Sequence, residues 1–397
     1  MAVDWSELPP EMISAIADQL KLHIDYIRFR AVCKSWRLST KTIPIHLPSQ
    51  LPWLMLPQNG AYQTRRRGFF SISSNKLHFL NLPEASHRRR SCGSSHGWLV
   101  ILDESPSIFL LNPLTRERIN LPPLSVFPNV VDFDFYRVGR EYILQYAAGG
   151  DTYARSLKHM RDYFIKKVIL STNPSNDSDF IALAILNQSG DLAFCKKGDQ
   201  SWRIIENAQS YCEDVIYRGG DGLFYAVDNF GKIAVCDLHG DSPRVSFIEL
   251  SRQRRGDMQY LVESSGELLL VTRYLDYLFI DNQFGMEFKT VEFKVHKLDI
   301  SGPPKWDRVE SLGNLMLFLG ENSSMAFSAS DFHGCKGNSI YFTDDYSDLS
   351  FDGCVGNQDI GIYNFDDDTL EQLPCYPYNS NFRLRWPPPI WISPNPC

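Results

Sequence analysis

Near the start of the chain the apolar positions have helical spacing. Met12, Ile13, Ile16 and Leu20 fall at i, i+1, i+4 and i+8, one stripe of a helix. Pro9 and Pro10 precede the stripe, where a missing N–H has no intrahelical partner to lose. Glu11 sits near the positive end of the helix dipole. Asp25 is placed to cap a second helix with Ile24, Ile27 and Ala31 on one side. Val32 and Trp36, again four apart, predict a third turn or helix. Three short helices within about forty residues bury too little apolar surface to stand alone. They need a partner or the domain that follows.

Beyond them the period changes. Pro44, Pro48, Pro52 and Pro57 punctuate a connector, because proline fits neither a helix interior nor a central strand. Trp53, Leu54 and Met55 within it are also readable as the start of a strand. From there short apolar runs alternate with turns: Trp98 to Leu102, Ile108 to Leu111, Phe180 to Leu186, Asp191 to Cys195, Gly222 to Asp228, Lys232 to Asp237, Glu267 to Arg273, Thr290 to Leu298, Leu315 to Leu319, Ser339 to Thr343 and Asp359 to Phe365. Asn187-Gln-Ser-Gly190, Gly219-Gly-Asp-Gly222, Asp228-Asn-Phe-Gly231 and Ser264-Ser-Gly266 are turn signals between them. After residue 45 only residues 153 to 163 offer a helical pattern.

The strand pairs rhyme. Four times a strand opens after glycine, turns, and its successor ends near tryptophan or proline: Gly97 to Pro122, Gly190 to Trp202, Gly222 to Asp237 and Gly266 to Trp306. A degenerate strand repeat of roughly 40–50 residues predicts propeller blades, here about six or seven. A pair of β-sandwiches is the alternative architecture. The expected fold is therefore mainly β with a small α N-terminal domain: three helices over 1–45, a connector over 46–58 and a β-propeller over 59–397.

Composition narrows the function. The chain has 397 residues, 43% of them hydrophobic, enough for a sizeable core. A net charge of −7 argues against general nucleic-acid binding, which leaves a basic footprint. There is no run of 18 apolar residues and no basic-plus-apolar leader at the start, so neither a membrane partner nor secretion is expected. Nine cysteines without a C-x-x-C pair read as reduced thiols, which places the chain in the nucleus or cytoplasm.

The helical stretch resembles an F-box. That family's pattern appears as Leu8-Pro9, Glu11-Met12-Ile13, Ile16, Leu20 and the closing run Arg30-Ala31-Val32-Cys33-Lys34-Ser35-Trp36-Arg37. His23-Ile24-Asp25 departs mildly from the Asp-Leu of many members. The resemblance implies docking onto the Skp-type linker subunit of an SCF ubiquitin ligase and, through it, association with cullin and RING subunits. On that reading Trp5, Leu8, Pro9, Met12, Ile13 and Ile16 lie at or near the linker contact. Leu20, Val32, Cys33 and Trp36 would form the small core, with Val32, Cys33 and Trp36 open to either assignment. Ser95-His96-Gly97-Trp98-Leu99, Leu111-Asn112-Pro113-Leu114-Thr115 and Leu121-Pro122-Pro123 look like the opening blade of plant F-box proteins with a kelch-like C-terminal domain. Asn338 to Thr343 and Gly361-Ile362-Tyr363 look like their closing blade. Together these similarities cover most of the chain and imply a substrate adaptor that performs no bond chemistry. Two other functions stay in view: an F-box-bearing propeller acting as an interaction scaffold outside a ligase, and a propeller enzyme.

Catalytic signals are sparse. Gly93-Ser94-Ser95-His96-Gly97 satisfies G-x-S-x-G, but that nucleophile elbow needs a strand before it and a helix after it. Here a strand follows, so a turn is expected. His333 and Cys335 lack zinc-type spacing with Cys354. Asp366-Asp367-Asp368 fits a hairpin turn rather than a calcium loop. No cofactor or metal is expected. Arg65–Arg67 and Arg88–Arg90 read as solvated loops, with nuclear import or an acidic partner as the alternative. Trp386-Pro-Pro-Pro-Ile-Trp391 is expected to pack back on the propeller, because two tryptophans are costly to leave in water. The stretch from Gly149 to Tyr163, with Tyr153, Arg155, His159 and Arg161, is the candidate loop for a protein target.

Overall fold

The computed structural model describes residues 4–41, 44, 46–57, 65–86, 88–146, 150–177, 179–187, 189–208, 211–250, 254–279, 286–346, 359–375 and 387–395. Their strands form seven sheets, all but one pair of neighbouring strands antiparallel. Six sheets stand around a central channel as blades. Their inner strands, Ile390–Ile392, Arg90–Ser95, Ile165–Leu170, Cys212–Arg218, Met258–Ser264 and Met325–Ser328, follow one another around the ring. Trp391 then packs on Phe318 and Tyr341, which joins the sixth blade to the first. Many strands are apolar on both faces, as in Trp98–Leu102 and Ile181–Leu186, because each blade is covered by a neighbour on either side.

The first blade is assembled from both ends of the chain. Ile390–Ile392 pairs with Trp53–Met55, which pairs with Arg66–Ser71 and then Lys76–Asn81. The propeller therefore begins at Trp53, inside the expected 46–58 connector. The strand there is short and proline-flanked, so only its distant partner reveals it. The sixth blade is irregular: Leu315–Leu319 runs parallel to Ser339–Phe342, and five strands line up where the others have four.

The sequence rhyme has a physical basis. Trp202, opening the fourth strand of the third blade, donates its indole N–H to the Pro122 carbonyl beyond the second blade (2.8 Å). Trp306 does the same from the fifth blade to Gly231 of the fourth (3.0 Å). A buried indole needs an acceptor, and the neighbouring blade supplies it.

The seventh sheet lies outside the ring. Val130–Phe133, Tyr142–Gln145 and Thr152–Arg155 form three antiparallel strands between the second and third blades. Tyr142 and Leu144 seat it against the core these blades share. Residues 153 to 163 are accordingly strand first, and helical only from Leu157–His159 into a π-turn at Met160–Phe164.

The N-terminal hook has three helices: α1 (Pro10–Ala17), α2 (His23–Arg30) and α3 (Lys34–Leu38). Asp25 does not cap α2. Leu22 holds the N-cap position without a side-chain bond, and Asp25 sits in the first turn, 3.6 Å from Arg28. Burial of Ile24 and Tyr26 fixes where that helix begins. Ile24 packs among Trp53, Ile390 and Ile392 of the first blade, and Gln50 donates to the Lys21 carbonyl (3.1 Å). The hook thus rests on the face of the ring where the inner strands end. The inner strands begin on the opposite face, the channel mouth.

Candidate functional site

α1 has two distinct sides. Ile13 and Ala17, four apart, are buried, Ala17 against Tyr26 and Leu47, while Met12 and Ile16 face water. Of the residues expected at or near the linker contact, Ile13 is therefore the one that is fully buried. Trp5 is 62% exposed on a single helical turn capped by Asp4, whose carboxylate accepts from the Ser6 N–H (3.0 Å). Pro9 is exposed and Leu8 half-buried.

The expected core members divide as well. Leu20 packs inward, and Trp36 lies on Phe29 with ring centres 4.3 Å apart. Its indole N–H donates to the Trp5 carbonyl (2.9 Å), which ties the first turn to α3. Cys33 caps α3, its sulfur accepting from the Trp36 N–H. Val32 is 58% exposed and is not core. With Trp5, Met12, Ile16, Leu22 and Leu38 it is one of six large apolar side chains that the hook leaves exposed.

At the channel mouth the inner strands begin with charge. Arg90 pairs with Glu321 and donates to the Asp162 and Ile165 carbonyls (2.9 and 2.8 Å). Lys167 pairs with Asp214 at 2.5 Å. The second Asp214 oxygen accepts from the Leu261 N–H (2.9 Å) and the Ser324 hydroxyl (3.2 Å). Arg273 is fully buried between Asp345 (3.0 Å) and Asp359 (2.8 Å), and also donates to Thr290 (2.7 Å). Apart from the Arg273–Thr290 bond within the fifth blade, these bonds cross from blade to blade, and four of the ring's blades converge on Asp214 and Lys167. Burial raises the Glu321 and Asp345 carboxyls above the ordinary range even though Arg90 and Arg273 oppose the shift. Burial works against the Lys166 ammonium, but Glu213 more than offsets it and its pKa is raised. The cavity among these groups, about 10 Å³, has room for about one water. It lies within a hub of charged groups that holds blades together.

The candidate target loop is only partly a surface. Arg161 is buried, bonded to Glu104 (2.6 Å), Asp162 (2.5 Å) and the Arg88 carbonyl (2.8 Å). Its guanidinium is committed to structure, which corrects the expectation that it meets a target. Arg155 lies over the Tyr153 ring at 4.6 Å, and Tyr153 also packs, tilted, against Tyr146. His159 packs on Tyr163. Gly149 lies outside the described residues. Sequence reasoning missed the tip of the outer sheet, where Tyr136 and Val138 are each 90% exposed beside Phe135. The alternation Val131-Asp-Phe-Asp-Phe135 was the available signal.

The remaining candidates resolve into structure. Ser95 ends an inner strand and its hydroxyl accepts from the Leu170 N–H (3.2 Å), with no helix following. Arg90 and Arg89 of the basic run are engaged, Arg89 with Asp103 at 2.7 Å, leaving Arg88 exposed. Arg67 is buried, whereas Arg65 and Arg66 are exposed. Asp366–Asp368 form the turn between Gly361–Asn364 and Thr369–Glu371. Trp391 is fully buried; Trp386, Cys354 and Cys397 lie outside the described residues. Among the described residues no group of three or more His, Cys, Asp or Glu is arranged to hold a metal ion, and no helix is long and apolar enough to cross a membrane.

The KIB1-4 beta-propeller family model matches residues 69–364, from the first blade into the sixth. The F-box protein SKIP23 of Arabidopsis thaliana is 32% identical, over 98% of this chain and 96% of its own length. The chain is a plant F-box protein with a KIB1-4 beta-propeller. Putative F-box protein At5g55150 and F-box protein At2g17036, also from Arabidopsis thaliana, are 28% and 27% identical over 97% and 98% of this chain and 97% and 95% of their own lengths. The hook α1–α3 is accordingly the F-box, and the ring it rests on is the KIB1-4 propeller.

Proposed function

We propose that this F-box protein is the substrate-recognition subunit of an SCF-type ubiquitin ligase. The observation that carries the reading is the exposure of Trp5, Met12, Ile16, Val32 and Leu38, five large apolar side chains on so small a unit as the F-box. A Skp-type linker would cover exposed apolar side chains of this kind and join the chain to cullin and RING subunits. The chain itself supplies proximity: a tethered target experiences a high effective concentration of the charged conjugating enzyme. The face holding the F-box is occupied, which favours the channel-mouth face and the outer sheet for the protein target.

The test is a binding titration of the full chain with a purified Skp-type linker, beside the double variant Leu8→Ala, Pro9→Ala. Interface anchors commonly cost about 2 kcal/mol each, roughly thirtyfold in affinity. The double variant should lose measurable binding while its propeller keeps the wild-type denaturation midpoint. Equal binding by both chains would show that the assigned face is wrong. No binding by the wild type would favour a scaffold outside a ligase.

A further inference from the structure

The closing strand does not end at the ring. Residues 393–395 continue across the face that carries the F-box. Asn112 of the second blade donates its amide to the Asn395 carbonyl (2.9 Å), and the Asn395 amide donates to the His96 carbonyl (3.3 Å). Gly97, in the turn after His96, is pressed so closely that an added Cβ would stand 2.5 Å from the Asn395 Cβ; its φ of +86° suits glycine alone. On its other side the segment meets the F-box: the Pro394 carbonyl lies against the His23 imidazole, and Gln50 approaches the same ring. Ile24, the next residue of α2, is buried with Ile390 and Ile392 of the closing strand.

We propose that residues 393–395 are a strap that seats the F-box on the propeller, so that linker docking waits on ring closure. The F-box is made before its seat is complete. Three short helices do not hold themselves together, and the seat at Trp53–Met55 lacks its inner neighbour until Ile390–Ile392 pairs with it. A chain with an unclosed ring then presents no ordered docking face. Only a chain able to hold a target enters the ligase. This consequence rests on the linker reading above; the strap itself does not.

Amide hydrogen exchange and linker titration on the same samples test both. The variants are a chain ended after Ile392, which keeps the closing strand, and full-length Asn395→Ala. Ending the chain after Ile392 should speed exchange in α1–α3 about tenfold, the effect of losing the contacts that hold a locally stable unit. Ile165–Leu170 and Ile181–Leu186 in the third blade should stay protected. Asn395→Ala should give a smaller rise in the same amides. Linker affinity should fall several-fold, as the seated fraction falls. Unchanged α1–α3 exchange in both variants would overturn the strap. So would loss of third-blade protection in step with the F-box in both, because the segment would then serve the ring and not the seat. Faster α1–α3 exchange in the variants together with no linker binding by the wild type would sustain the strap and remove the ligase reading.

Discussion

Lys167 and Asp214 show how a charge survives inside the hub. Neither side chain reaches water, and each satisfies the other at 2.5 Å. Removing one partner strands the other, which typically costs about 3–5 kcal/mol, whereas replacing both with well-packed apolar groups is often neutral. Lys167→Met should therefore lower the chain's denaturation midpoint sharply, and Lys167→Met with Asp214→Leu should recover much of the loss. His296 supplies a pH test. It is buried near Arg254, Arg308 and Lys294, its Nδ1 has no partner among the described residues, and its pKa is pushed down to about 4, first by burial and then by those cations. Above its ordinary value of 6.5 the imidazole is neutral in folded and unfolded chains alike. As pH falls below that value the unfolded chain takes up the proton first, so stability drops between about pH 6.5 and 4. His296→Gln should flatten that part of the stability–pH curve; an unaltered slope would assign the acid loss to other groups.

Inner strands pack closely because small residues let them. Gly93 lies in Arg90–Ser95, and a Cβ there would stand 2.1 Å from the Val168 carbonyl oxygen of the next blade. Backbone cannot swing aside as a long side chain can. Gly93→Ala should cost at least the 1–3 kcal/mol usual for overpacking (roughly) and be read as a lower unfolding midpoint in denaturant. The same glycine is the first residue of the G-x-S-x-G pattern. Its size serves blade packing, and the strand through Ser95 leaves no elbow. The fifth blade shows the opposite tendency. Glu267–Phe279 and Met286–Asp299 run well past their neighbours Met258–Ser264 and Lys305–Val309. Arg273, bonded to Asp345 and Asp359, anchors the point where this hairpin leaves the sheet.

The ring behaves as one object because its first blade spans the chain. Trp391 is fully buried between the first and sixth blades, and its strand pairs with residues 53–55. Loss of a buried aromatic costs about 3–5 kcal/mol. Trp391→Ala should lower a single transition shared by propeller and F-box, followed by tryptophan fluorescence and by helical circular dichroism. Two separated transitions would mean that the F-box is not seated as described. The arrangement also divides the molecule's labour. The F-box and the channel mouth lie on opposite faces, so substitutions at the mouth leave the F-box surface untouched.

Local pattern was sufficient for much of this protein. Apolar spacing set out the three F-box helices, and strand–turn alternation located Trp98–Leu102, Ile181–Leu186, Ile233–Asp237 and Leu315–Leu319 near their observed bounds. Those elements are specified by neighbours in sequence, through helical or alternating burial and turn chemistry. Tertiary structure alone decided the rest. Ile13 turned inward and Val32 outward because a stripe drawn on one helix does not say which other element covers it. Arg90, Lys167, Asp214 and Arg273 became buried partners because residues far apart in the chain meet where six inner strands converge. Trp53–Met55 became a blade strand because Ile390–Ile392, more than three hundred residues later, supplies the missing edge. Pairing across such a distance carries no local signature; it is fixed only when the ring closes.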